Sequence, residues 1–198
     1  MKYKLLILLV LAQSLLAELD LEVWDGNQIH NWWNNAGHIS THIATGGPGM
    51  EWPGGSGDSP VYAAGLWLVT SHINGSSDVR SAAAEFTSEF APGPAYADRM
   101  APEYRIYKIR TADGAANPDW QVWPVDQGAP WIDIDEDGVY DPAVDMPDVK
   151  GDLYYWSVFN DLHANTHANL WSTSPIGVEV RSAIYGFEEP HPLSNTMF

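Results

Sequence analysis

Aspartates stand at alternate positions 133, 135 and 137, and again at 141 and 145, in Asp133-Ile-Asp135-Glu-Asp137-Gly138-Val-Tyr-Asp141-Pro-Ala-Val-Asp145. A hard cation such as Ca²⁺ takes six to eight oxygens, and this spacing lets one tight loop wrap several around a common centre. Gly138 permits the sharp bend after the third carboxylate. Ca²⁺ binding is therefore the chemistry this stretch suits best, alongside a plainer reading as an acidic surface turn, since Asp and Gly both favour turns. No comparable set of catalytic residues stands out.

The loop resembles the calcium loops of EF-hands, dockerins and thrombospondin type 3 repeats. The resemblance implies side-chain oxygens from Asp133, Asp135 and Asp137 and a backbone carbonyl from Val139. It implies Asp141 as a further ligand, directly or through water. It breaks at the twelfth position, where an EF-hand has a bidentate Glu and this chain has Val144. Asp145, one residue later, substitutes only if the loop has a different shape. Pro142 opposes a second helix starting in the usual register. The expectation is an isolated loop between strands, binding Ca²⁺ with a Kd on the order of 10⁻⁴–10⁻³ M, as extracellular modules do.

Residues 1–17 read as a secretory signal peptide: Lys2 and Lys4, an unbroken apolar run from Leu5 to Ala12, and Leu15-Leu16-Ala17 at the cleavage point. The alternative is an uncleaved anchor, although the run is short for a membrane span. The whole chain carries a formal charge of −17. Losing Lys2 and Lys4 leaves seven basic against 26 acidic residues, or −19. Such a charge argues against nucleic acid and anionic membranes as partners, and no transmembrane span remains after cleavage. The absence of cysteine excludes thiol catalysis. It favours a bacterial exported protein with a conventional core over a disulfide-stapled eukaryotic one. Residues 18–198 suffice for one domain.

That domain must position the loop, and its composition is poor in helix formers and rich in Gly, Pro, Trp and Tyr. The expected class is mainly β, an antiparallel sandwich-like fold with long Gly/Pro/Trp-rich loops. Val61–Ile73 reads as a buried strand centred on Leu66-Trp67-Leu68-Val69. Asn74-Gly75 turns the chain, and Val79–Phe86 returns it as a hairpin. Further strands are expected at Glu103–Arg110, Asp152–Asn160 and Ile176–Phe187. The glycine-rich stretch 46–57 reads as irregular. Thr196-Met197-Phe198 looks like the start of another strand, so the domain is expected to be incomplete at its C-terminus.

Two histidine pairs have i, i+4 spacing, His38/His42 and His163/His167, and Asp161 lies beside the second. On a helix that spacing suits zinc; otherwise these are loop histidines bonded to backbone. Ten Trp and nine Tyr admit stacking on sugars, but Trp is also a core residue. With 26 acids, no carboxylate pair is singled out for glycoside hydrolysis, because the separation that matters is spatial. Residues 46–57 lack the Lys of a phosphate loop, and Gly54-Gly55-Ser56-Gly57-Asp58 lacks the last Gly of a nucleophile elbow.

Four ordered segments carry a wider resemblance: Glu51-Trp-Pro-Gly-Gly-Ser-Gly, Ala63-Ala-Gly-Leu-Trp-Leu, the Asp133–Pro142 loop, and Pro175-Ile-Gly-Val-Glu-Val with Asn195-Thr-Met-Phe. Together they resemble the N-terminal part of large secreted proteins of Gram-negative bacteria that often end in a type IX secretion sorting domain. The resemblance implies export, β-rich architecture and a missing C-terminal part, but no activity. The expectation is an exported calcium-binding structural or adhesive domain of a larger secreted or cell-surface protein, with the question of enzymatic activity left open. Its partners would be cell-surface glycans or other domains of the same chain. A glycan-binding module, or part of a secreted polysaccharide-degrading enzyme, is the alternative.

Overall fold

A computed structural model describes residues 19–71, 75, 77–85, 87–97, 101–163, 165–167 and 170–198. The signal segment 1–17 and Asn74 of the expected turn lie outside these. Among the described residues, seven strands have four residues or more: β1 (Leu21–Trp24), β2 (His30–Asn34), β3 (Trp67–Thr70), β4 (Arg80–Ala83), β5 (Tyr107–Arg110), β6 (Leu153–Asn160) and β7 (Glu179–Gly186). Pairs of residues complete the ladders, and helix is confined to two short 3₁₀ segments, Thr111–Ala116 and Val125–Gln127. The chain is mainly β, with several antiparallel sheets.

Strand β6 organises one sheet. It pairs along its full length with β7, from Leu153↔Gly186 to Asn160↔Glu179. Its other edge takes β5 at Leu153–Trp156 and Ala91–Pro92 at Phe159–Asn160. Every residue of β6 is buried, which explains why Leu-Tyr-Tyr-Trp-Ser-Val-Phe-Asn is apolar on both alternations rather than one. Leu153, Tyr155 and Ile184 meet Trp24, Ile29 and Trp33, and Ile106 completes that cluster. The four-stranded sheet thus packs on the sheet built from β1 and β2, as the two layers of a sandwich do. On the other side Tyr154, Trp156 and Val158 join Ile109, Tyr107 and Trp123.

The expected buried strand around Leu66–Val69 is half-buried instead. β3 pairs with β4, Trp67 opposite Ala83 and Thr70 opposite Arg80. Leu66 and Leu68 pack on Ala82, Ala84, Phe90 and Phe159, while Trp67 and Val69 are exposed, at 51 % and 70 %. A two-stranded ribbon has one face to offer the core, so alternate side chains turn outward. Gly75 adopts the left-handed conformation (φ +80°) that a tight turn asks for.

Strands also run through residues 21–51, a stretch for which the sequence predicts none. β1 and β2 pair from Leu21↔Asn34 to Trp24↔Asn31. Within the supposedly irregular glycine-rich stretch, Gly47–Pro48 pairs with Thr41–His42 and Met50–Glu51 with His30–Asn31. Gly49 lies against another part of the backbone: a Cβ there would sit 2.2 Å from the Thr41 nitrogen. The glycine admits that approach rather than breaking the sheet.

Acidic side chains serve as internal staples. Asp161, fully buried, accepts from the backbone N–H of Ile176, Gly177 and Val178 at 2.5, 2.9 and 2.8 Å. Glu89, also fully buried, accepts from Ala83, Leu170 and Trp171. Asp119 takes the amide of Lys108 at 2.6 Å and the guanidinium of Arg105 at 2.5 Å. Part of the negative charge is thereby inside, satisfied by amides, because a buried carboxylate needs such partners.

Thr196–Phe198 forms no named strand but meets the end of β7 through an isolated bridge. Phe198 and Tyr185 exchange backbone hydrogen bonds at 2.9 and 3.0 Å, Met197 bridges to Gly186, and the Phe198 and Tyr185 rings stack at 5.2 Å.

Candidate metal centre

The Asp-rich loop is the connection of a small hairpin. Trp131–Ile132 pairs with Met146–Pro147, Trp131 opposite Pro147 and Ile132 opposite Met146. The loop therefore lies between strands, as the Pro142 argument requires. Its base is tied to the core: Trp131 meets Tyr140 edge to face at 5.6 Å, and the Tyr140 hydroxyl donates to the Trp120 carbonyl at 2.7 Å. Both rings pack beside the Trp123–Trp156 cluster. Burial, with the nearby charge of Asp145, pushes the Tyr140 hydroxyl up to about 12, so it donates throughout the physiological range.

Within the loop, one carboxylate oxygen from each of Asp133, Asp135 and Asp137 lies within 4.8 Å of the others. Ca²⁺–oxygen distances run about 2.3–2.6 Å, so three oxygens at that separation fit around one ion. The backbone builds this arrangement. Asp133 accepts from the N–H of Asp137 at 3.2 Å and of Gly138 at 2.8 Å, folding the first carboxylate back over the bend. Asp137 accepts from Val139 at 2.7 Å. Glu136 and Gly138 have φ of +60° and +77°, which is why glycine suits the second position. Loss of solvation within the loop, then the charges of Asp137, Asp145 and Asp133, pushes the Asp135 carboxyl above the usual range.

The other candidate ligands are placed differently. Val139 is exposed. Asp141 caps a single turn, its carboxylate accepting from Ala143 at 2.9 Å and its carbonyl from Val144 and Asp145 at 3.0 and 2.7 Å. Asp145 is 2 % exposed. Its two oxygens accept from Ile134 at 2.9 Å and Asp141 at 2.7 Å, clamping the start of the loop to its end. Among the described residues, the group within 4.8 Å comprises Asp133, Asp135 and Asp137 and neither Asp141 nor Asp145. Sequence spacing carries no sign of that clamp, since it depends on the hairpin closing.

His38 and His42 lie on the short strands His38–Ile39 and Thr41–His42, not on one helical face; His42 packs on Trp32 at 4.3 Å. Arg105, Lys108 and Arg110 border a groove of about 550 Å³ but form no free basic patch. They pair with Asp119, Glu22 and Glu188 respectively. Trp67 and Trp171, each half-exposed, flank an apolar cleft of about 230 Å³ with Leu68, Val69, Ser81 and Ala83. The two indoles meet at 69°, so they make a corner, not a flat platform.

No protein-family model, no curated protein and no solved structure matches this chain. No helix among the described residues is long and apolar enough to cross a membrane.

Proposed function

We propose that this chain is an exported structural or adhesive domain that binds Ca²⁺ through the Asp133–Asp145 loop, within a larger cell-surface or secreted protein. The observation that carries the calcium reading is the convergence of the Asp133, Asp135 and Asp137 carboxylates over one hairpin bend. Exposed hard oxygens suit Ca²⁺, which tolerates irregular coordination, better than Mg²⁺, which demands a near-ideal octahedron. Val139, Asp141 and water complete the shell in this reading, and Asp145 holds its rim. A filled loop would lock the hairpin against the Trp120–Trp131–Tyr140 cluster, which is the structural role. Export rests on the N-terminal sequence, and membership of a larger protein on the four-segment resemblance.

Trp131 and Tyr140 stand beside the loop, so bound Tb³⁺ should luminesce when they are excited. Ca²⁺ should quench that emission in the 10⁻⁴–10⁻³ M range by displacement, and Mg²⁺ should act only at much higher concentration. Emission unchanged by Asp135→Ala would place the metal elsewhere and end the reading. The glycan-binding alternative rests on the Trp67–Trp171 cleft. It predicts saturable changes in tryptophan fluorescence with oligosaccharides that Trp171→Ala abolishes.

A further inference from the structure

Just after β6, three imidazole nitrogens on one turn of chain are buried without a hydrogen-bond partner. The amides of Thr166 and His167 both donate to the His163 carbonyl at 3.0 Å. The second is an i→i+4 bond, so one α-type turn sets side chains 163 and 167 on the same side of the chain. His167 is 2 % exposed, and neither its Nδ1 nor its Nε2 has a partner; the Nδ1 of half-buried His163 is likewise buried and unpaired. A buried polar group left unsatisfied is destabilising, so such a ring calls for water or a cation.

Asp161 favours the cation. Its Oδ2 lies 3.7 Å from His167 Nδ1, and the amides of residues 176–178 hold that carboxylate in place. That separation is longer than a hydrogen bond; a small rotation of the His167 ring on metal binding would close it, and a carboxylate bonded to one ring nitrogen leaves the other nitrogen's lone pair for a metal. The donor atoms of Asp161, His163 and His167 do not all fall within 4.8 Å of one another, as those of the Asp133 loop do. Closure must come from the half-buried His163. It lines a cavity of about 280 Å³ with Tyr96, Ala97, Asn160 and Leu162, which gives its ring room to move.

We propose that His163 and His167 bind a borderline divalent cation of the Zn²⁺ class, with Asp161 as the positioning residue for His167 and water at the remaining coordination positions. Imidazole donors suit Zn²⁺ rather than Ca²⁺, so this centre is chemically distinct from the acidic loop.

The test is a Zn²⁺ titration of the metal-stripped full chain in millimolar Ca²⁺, which occupies the acidic loop, followed by ¹⁵N NMR of the imidazoles. The ring nitrogens of His163 and His167 should shift saturably, and the other five of the seven histidines should not. His163→Gln, at the half-buried position, should weaken binding at least tenfold while near-ultraviolet circular dichroism stays native. Asp161→Asn should weaken it about 10–100-fold, as loss of an orienting carboxylate does. Should that variant fail to fold, the His163→Gln result decides. Unmoved His163 and His167 signals at millimolar Zn²⁺, equal affinity in His163→Gln, or a response lost on Asp135→Ala would each overturn the proposal.

Discussion

Lowering the pH should destabilise this fold through His38 well before its carboxylates are protonated. The ring is 2 % exposed. Asn34 Oδ1 accepts the amides of Ala36 and His38 at 3.0 and 3.1 Å, which leaves its NH₂ group to donate to His38 Nδ1 at 2.8 Å. That nitrogen is therefore an acceptor, and protonating it would set two N–H groups against each other. Burial drives the His38 pKa from 6.5 down to about 4, with the Thr87 backbone opposing. The unfolded chain takes up a proton below about 6.5 and the folded chain only near 4, so stability falls as pH drops through that window. Between pH 7 and pH 5 the loss is about 2 kcal/mol, and below pH 4 it approaches about 3 kcal/mol. Urea unfolding at pH 7 and pH 5 should show wild type losing about 2 kcal/mol more than His38→Gln, which has nothing to titrate there. Parallel losses in the two proteins would refute the reasoning.

Asp145→Ala should destabilise the metal-free protein by about 2–4 kcal/mol in denaturant melts, because two loop amides lose a buried carboxylate acceptor. A change under about 0.5 kcal/mol would show the clamp to be idle. Gly65→Ala would bring a Cβ to 2.0 Å from the Ala84 carbonyl oxygen. The strand must shift at a cost of about 3 kcal/mol, lowering the melting temperature by roughly 6–12 °C; an unchanged melt would contradict the close approach.

What could be read in the sequence was what depends on neighbours along the chain. The calcium-type spacing is local, and the hairpin loop brings Asp133, Asp135 and Asp137 together as that spacing implies. β6 and β7 were legible because a long run of aromatic and branched residues has few other uses. β2 was not, because His-Asn-Trp-Trp-Asn has no strand pattern. Asn31 and Asn34 are fully buried, and what makes Asn34 tolerable is the turn it organises through Ala36 and His38, a contact spacing does not announce. The same holds for Asp145, Asp161 and Glu89. As letters they were three among 26 acids, and only the fold shows each carboxylate closing a loop. Trp67 and Trp33 look equivalent in sequence, yet one is half-exposed on a two-stranded ribbon and the other is 1 % exposed between two sheets.

The central claim is that one ion orders the Asp133–Asp145 loop, and paired melting curves test it most directly. With a Kd of about 10⁻⁴–10⁻³ M, 10 mM Ca²⁺ stabilises the folded form by about 1.4–2.7 kcal/mol. That is roughly 3–10 °C for a domain of this size. Metal-stripped wild type should gain that much on adding Ca²⁺, and Asp135→Ala should lose most of the gain while folding normally without metal. Superimposable wild-type curves with and without Ca²⁺ would contradict the account.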